Sequence, residues 1–288
     1  MRRVVAVGAT AVIQGVLDFV FPKRCVRCRA SGSWLCEPCA LALQALPADR
    51  CPRCGAPRSR ALAATTWRAA DAAPGARCPS APCRECRGRD LAFTSASAAF
   101  VYEGPARALV IACKFRALRS LVDEMVERAG PAFGAACSGA LDPAVSGSAS
   151  LPLLVTWIPA HRDHTLERGF NQAELLARGL ARRAGVPYAP LLRRRRHGAR
   201  QSGLDRAARA ANVRDAFALR EDANGVLRRL KRVMLVDDVY TTGETLDHGA
   251  EVLARAGCQP QVFTFARTVR GTPTQASLDN AVQKERCR

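Results

Sequence analysis

In Val233-Met-Leu-Val-Asp-Asp-Val-Tyr-Thr-Thr-Gly-Glu-Thr-Leu246, four apolar residues run directly into two carboxylates and a turn rich in Thr and Gly. A short apolar run suits a strand buried on both faces. It carries Asp237 and Asp238 to its carboxyl end, where α/β proteins bind their ligands. Tyr240, Thr241, Thr242, Gly243, Glu244 and Thr245 then turn into a helix. The backbone N–H groups and positive end of that helix suit a phosphate dianion, and the Thr hydroxyls add donors. Gly243 lets the backbone approach closely. The adjacent carboxylates can accept from vicinal sugar hydroxyls or hold Mg²⁺. A P-loop NTPase would also need G-x-x-x-x-G-K-[ST], and no such run exists in the chain. A plain strand–turn–helix with surface acids is the bland alternative, and it leaves the Thr-Thr-Gly-x-Thr combination without a purpose.

The flanking sequence repeats the strand–helix alternation. After the turn, Leu246, Ala250, Leu253 and Ala254 form an inward stripe, with Asp247, Glu251 and Arg255 on the other face. Gly257 ends that helix, and Gln261–Ala266 is the next strand. Upstream, Leu153–Ile158 is a buried strand stopped by Pro159. Asn171 caps a helix with Glu174 in the capping-box position, Ala173, Leu176, Ala177 and Leu180 as its stripe, and Gly185 and Pro187 at its end. Ser97–Tyr102 reads as a strand and Pro105–Phe115 as a helix with Pro in its first turn. Strands alternating with helices predict an α/β domain over 91–270, built on a parallel sheet with covered faces. Ser138–Ser150 is turn-rich and reads as a linker or surface loop. The polar stretch 271–288 reads as a disordered tail.

Composition bounds the remainder. At 288 residues and 48% hydrophobic, the chain is long enough for one α/β domain with a small appendage. No run of 18 strongly apolar residues lacks polar interruption, which predicts no membrane span. Arg2 and Arg3 followed by Val4–Val20 imitate a secretory signal, but Gln14 and Asp18 interrupt the run and no A-x-A cleavage pattern stands between it and the first cysteine. Ile13, Leu17 and Val20 fall at helical spacing, which favours a packing helix over a signal or membrane anchor. The net charge of +19 predicts affinity for polyanions, or else reflects nothing more than a general richness in arginine.

Nine of the 13 cysteines lie between Cys25 and Cys86, mostly as C-x-x-C pairs, which is metal-ligand spacing and not a disulfide framework. Cys25, Cys28, Cys36 and Cys39 can face one another across a seven-residue spacer to form a Zn–S4 site. Cys51 and Cys54, followed by Gly55, form half of a second site. Cys83 and Cys86 are its partners across an insertion at Ala56–Arg77, with Cys78 a competitor for one position. Four thiolates leave no open position for water, so both zinc ions are structural, each able to stabilise its ribbon by roughly 10–16 kcal/mol. Residues 1–90 therefore read as an N-terminal helix plus a double zinc ribbon. Such free thiolates predict a cytoplasmic protein.

Residues 233–245 match the phosphoribosyl pyrophosphate signature of type I phosphoribosyltransferases, and the wider chain resembles the ComF (GntX-like) family. The resemblance rests also on the cysteines, Tyr102-Glu-Gly-Pro-Ala-Arg107, Lys114-Phe115, Ile158-Pro-Ala-His-Arg162 and Glu167-Arg-Gly-Phe-Asn-Gln-Ala173. Gln201, Leu204, Arg206 and Asn212-Val-Arg214 leading to Phe217 extend it. It implies a type I phosphoribosyltransferase fold behind the ribbons. Asp237 and Asp238 would hold the ribose hydroxyls, and Tyr240–Thr245 the 5′-phosphate of phosphoribosyl pyrophosphate bound with Mg²⁺. His161 and Arg162 would correspond to the pyrophosphate loop, or stand on a merely basic turn. Arg168, Asn171 and Gln172 would offer a further phosphate site at the next helix start, or Asn171 would only cap. Arg162 joins the two aspartates as a candidate catalytic residue. Around Lys114 the family pattern is broken, because Cys113 replaces an aromatic residue and Arg116-Ala117 a glycine, so no role for Lys114 is implied.

The densest positive stretch is Arg193-Arg-Arg-Arg-His-Gly-Ala-Arg200, continued by Arg206, Arg209 and Arg214. It suits a mobile loop closing over pyrophosphate, a track for single-stranded nucleic acid, or a solvated face. The resemblance thus implies a phosphoribosyltransferase-like protein with an unknown acceptor, linked to competence and DNA uptake. The alternative is a non-catalytic protein that binds single-stranded DNA, or an adaptor docking to an uptake helicase, with a vestigial phosphoribosyl site.

Overall fold

The computed structural model describes residues 23–58, 83–116, 118–139, 153–195, 216–227 and 230–269. The helix expected over 4–20, most of the insertion together with Cys78, the arginine run beyond Arg195 and the tail lie outside the described residues. So does the turn-rich stretch from residue 140 onward.

Four parallel strands form the main sheet in the order β1 (Ser95–Val101), β6 (Gln259–Arg267), β5 (Arg232–Tyr240), β2 (Leu153–Trp157). Successive residues of β5 go to opposite faces: Val233 and Leu235 pack with one core, Met234 and Val236 with the other. This two-sided burial is why the parallel strands read as unbroken apolar runs. One face is covered by α2 (Gly104–Arg116), α3 (Ser120–Cys137) and α5 (Gln172–Ala184), together with Cys25, Leu35 and Cys39 of the first ribbon. The other carries α7 (Glu244–Arg255) and the second ribbon. A short antiparallel pair, β3 (Leu192–Arg194) with β4 (Phe217–Leu219), lies beside α7. The remaining helices are short: α1 (Glu37–Leu41), α4 (Arg162–Arg168) and α6 (Ala223–Leu227). Among the described residues no helix is long and apolar enough to cross a membrane.

Local sequence accounts for most boundaries. Asn171 caps α5 by accepting from the Ala173 N–H at 3.1 Å, and Gly185 at φ +66° closes it. The stripe Ala173, Leu176, Ala177 and Leu180 is buried as expected, while Glu174 pairs with Arg178 at 2.8 Å. Two readings need correction. On α7, Gly249 takes the inward place given to Ala254, which is only half-buried. The strand expected to stop at Val236 continues to Tyr240 because β6 keeps pairing it as far as Tyr240 opposite Arg267. Helix α3 carries no strong sequence signal, with Pro131 and two glycines inside it, yet its stripe from Leu121 to Ala136 is buried.

Candidate functional site

Register creates the site. On its β2 side, β5 has a strand partner only as far as Val236, opposite Trp157, whereas on its β6 side the pairing runs on. Asp237 and Asp238 therefore stand past the last paired residue of β2, at the carboxyl edge of the sheet. There the Asp238 N–H donates to Asp237 Oδ1 at 2.8 Å. Asp237 is half-buried; burial and the neighbouring Asp238 charge push its carboxyl up to about 8, against the pull of the Asp238 amide and Lys114.

Lys114, in the last turn of α2, places Nζ 2.7 Å from Asp238 Oδ2. Burial works against its charge, but the Asp238 carboxylate, helped by Asp237, outweighs burial and leaves the ammonium harder to deprotonate than usual. The structure thus assigns Lys114 to the site, a residue for which the broken family pattern implied nothing. Next to it Cys113 is fully buried, and burial with the Asp238 charge pushes its thiol up to about 12. The charge of Arg168 opposes that shift, as does Lys114, so Arg168 lies within electrostatic reach of the same spot. Arg168 sits in the last turn of α4, and not at a helix start as the sequence suggested.

Thr241 and Thr242 are exposed, and Gly243, at φ +80°, is the N-cap of α7. A Cβ on Gly243 would collide with the Tyr240 ring directly beneath it, so only glycine fits the bend. Glu244 and Thr245 open α7 with exposed side chains. The Tyr240 side chain itself is buried under the turn, so it supports the backbone from below. The exposed Thr241, Thr242, Glu244 and Thr245 and the amino end of a three-turn helix thus stand beside two carboxylates and a lysine, with the Glu244 N–H donating to Thr242 Oγ1 at 3.4 Å. The arrangement can take an anion on one side and hydroxyls on the other.

His161 caps α4, its Nδ1 accepting from the Asp163 N–H at 3.4 Å, and Arg162 is exposed in the first turn. Both follow the carboxyl end of β2, the strand next to β5, yet the described contacts join neither to the carboxylates. Asn171 has both amide functions engaged, accepting from Ala173 and donating to the Ile158 carbonyl at 3.1 Å, which is the capping role.

The cysteines fall into the two expected groups. In each of Cys25, Cys28, Cys36, Cys39 and Cys51, Cys54, Cys83, Cys86 the sulfurs lie within 4.8 Å of one another. Closest separations include 3.4 Å for Cys28–Cys36 and for Cys54–Cys83, and 3.8 Å for Cys51–Cys86. A tetrahedral ion with Zn–S bonds of ~2.3 Å needs sulfurs about 3.8 Å apart, so either group could hold zinc. Cys83 fills the position for which Cys78 competed. The knuckles share one backbone pattern, with Arg29 N–H donating to Cys25 O at 3.0 Å and Gly55 N–H to Cys51 O at 2.8 Å. Burial would raise the Cys25 thiol, but the amides of Cys28, Cys36 and Arg27 outweigh it and bring it down to about 6. Gly55, at φ +72°, lets its knuckle press on β1, where a Cβ would fall 2.6 Å from Ala96 O.

Besides Lys114, two positions beside the turn escaped the sequence reading. Arg267 ends β6 and is 2% exposed, and Arg89 lies three residues after the last ligand cysteine. The signal for Arg267 is a lone cation closing an apolar strand, since charges are seldom fully buried unless paired.

No family model matches the chain. The chain is 36% identical over 119 residues to Competence protein F of Haemophilus influenzae, covering 41% of this chain and 51% of that protein. Over 254 residues it is 28% identical to DNA utilization protein YhgH of Salmonella typhimurium, covering 86% of this chain and 98% of the relative. Competence protein ComFC of Streptococcus pneumoniae is 36% identical over 109 residues, 38% of this chain and 44% of that one. The chain thus spans about half the length of the Haemophilus and pneumococcal relatives and nearly all of the Salmonella one. Among solved structures, the allosteric regulatory enzyme of purine biosynthesis is similar at 20% identity with a TM-score of 0.29, over 50% of this chain and 25% of that chain. These relatives bear the ComF and DNA-utilization names that the resemblance implied, and the two cysteine groups fit the double ribbon expected with it.

Proposed function

We propose that the carboxyl end of β5 and the turn into α7 bind the phosphate and ribose of phosphoribosyl pyrophosphate with Mg²⁺, in a phosphoribosyltransferase-type protein that serves the handling of incoming DNA. One observation carries this reading: two adjacent carboxylates at a strand end, one 2.7 Å from the Lys114 ammonium, stand beside a glycine bend that opens α7. Asp237 and Asp238 accept from the ribose hydroxyls. The amides after Thr242, with the Thr hydroxyls, take the 5′-phosphate at the positive end of α7. A nucleophile of the amine or heterocyclic-base class attacks C1 as the bond to pyrophosphate breaks. The protein contributes position and charge more than acid–base chemistry. Mg²⁺, when bound with the ligand, neutralises part of the pyrophosphate charge. Lys114 pairs with Asp238, Arg168 acts on the neighbouring Cys113, and His161 and Arg162, at the start of α4 after β2, would face the pyrophosphate. A reducing cytoplasm, in which the clustered thiolates stay free for zinc, is the compartment this chemistry requires.

Calorimetry of phosphoribosyl pyrophosphate with Mg²⁺ tests the reading. Binding is expected to the wild type and lost in Asp238→Asn and Thr242→Ala; equal affinity in all three would sink it. Pyrophosphate release across a panel of amines and bases then identifies the acceptor class.

A second reading has its own support. Arg193, Arg194 and Arg195 are exposed, with the Arg194 guanidinium 5.3 Å from the Phe217 ring centroid, and the relatives are named for competence and DNA utilization. A single-stranded DNA track along this ribbon would lose affinity steeply with salt. Salt-insensitive binding would exclude it.

A further inference from the structure

We infer that Arg267 couples the second cysteine cluster to the phosphate turn, so that metal at Cys51, Cys54, Cys83 and Cys86 sets how firmly Tyr240–Thr245 is held for an anion. The inference takes its ligand from the phosphoribosyl reading, but the mechanical link stands apart from it.

The guanidinium of Arg267 faces three ways. NH1 donates to the Cys54 carbonyl at 2.5 Å, and NH2 donates to Glu85 Oε2 at 2.7 Å. Its Cζ lies over the Tyr240 ring, 4.0 Å from the centroid. Cys54 belongs to the knuckle 51–54 and Glu85 to the knuckle 83–86, so one side chain ties the two halves of the cluster together. Tyr240 in turn fills the space beneath Gly243, and Phe93 meets the same ring edge-on at 6.4 Å. From the ribbon side, Arg89 NH1 donates to the Thr242 carbonyl at 2.8 Å. The Ala92 N–H donates to Asp247 Oδ1, also at 2.8 Å, in the first turn of α7. The turn is therefore pinned from below and from its outer side by residues 85–93.

The charges agree with this mechanical picture. Four thiolates around a divalent ion carry a net charge of about −2, and Arg267, buried against that ribbon, is its counter-charge together with the demand of Glu85. A planar fork suits these divergent partners where an ammonium does not. The knuckles come from segments far apart in sequence and have little core of their own, so the metal is what presents Cys54 and Glu85 to Arg267 as one unit. The first cluster differs: Cys25 and Cys39 pack in the core on the opposite face of the sheet, with α2 and α3. It serves as an internal control.

The test uses the full-length, zinc-loaded protein, with metal content, amide hydrogen exchange over 239–247 and calorimetry with Mg²⁺ and phosphoribosyl pyrophosphate. Cys83→Ser is expected to lose one metal, to raise exchange in that segment about tenfold and to weaken binding about tenfold, a coupling of ordinary size. Cys28→Ser is expected to lose one metal with neither effect. Arg267→Lys keeps both metals and shows both effects. Arg89→Ala, at a half-buried position outside the cysteine cluster, raises exchange at 241–243 without changing metal content, so the link remains testable should Cys83→Ser misfold. Unchanged exchange in Arg267→Lys with both metals retained overturns the inference, as does an equal effect from Cys28→Ser. Should the wild type ignore phosphoribosyl pyrophosphate while the exchange pattern holds, the ligand assignment fails and the coupling stands.

Discussion

Asp237 enters binding from the protonated side. Burial and the Asp238 charge push its carboxyl up to about 8, so the neutral form of Asp237 is well populated at pH 7. The carboxylate accepts from ribose hydroxyls and neighbours a cation better than the neutral acid, which gives up part of its acceptor capacity to its own proton. Binding phosphoribosyl pyrophosphate with Mg²⁺ at pH 7 is therefore expected to release up to about one proton per site from this group. Affinity should rise with pH, by at most about tenfold per unit, up to about pH 8 and level off above it. Calorimetry at pH 7 in buffers of different ionisation enthalpy reads the proton count directly, once the contribution of the ligand's own phosphates, measured with Asp237→Asn at the same pH, is subtracted. The sign is opposite for stability. A carboxyl whose folded-state value lies above its ordinary 3.8 favours folding while protonated, and that benefit is lost as pH climbs from about 4 to about 8. Asp237→Asn should accordingly gain stability relative to wild type across that window while losing affinity and the proton signal. Affinity flat from pH 6 to 9 with no proton released would refute both the raised carboxyl and its place at the ligand.

Three further outcomes follow from the same geometry. Gly243→Ala forces a left-handed backbone and a clash with Tyr240, which should cost about 1–3 kcal/mol in denaturant unfolding and abolish anion binding at the turn. Lys114→Met leaves Asp238, only 12% exposed in its side chain, without its ammonium; a loss of about 1–3 kcal/mol is expected, together with weaker pyrophosphate binding, and unchanged unfolding would show the ion pair to be idle. Metal analysis should find about two zinc ions per chain, falling to one in Cys36→Ser, and a strong chelator should unfold both ribbons.

Much of the site was legible before any fold was known, because its parts are local. An apolar run, two adjacent acids, a glycine bend and an amphipathic helix follow one another without a break from Val233 to Arg255. The ligand cysteines announce themselves by C-x-x-C spacing, and Asn171 by its place before a periodic stripe. These patterns depend on backbone period and on the reach of single side chains, which neighbouring residues already specify. Helix α3 was missed because Pro131 and its glycines mask a stripe that only tertiary packing sustains. Lys114 meeting Asp238, and Arg267 reaching Cys54 across 213 positions and Glu85 across 182, lie beyond any such pattern. Their meeting requires that β5 outrun β2 and stay beside β6 to its last residue, and strand register is fixed by which apolar faces are buried together, a property of the assembled sheet.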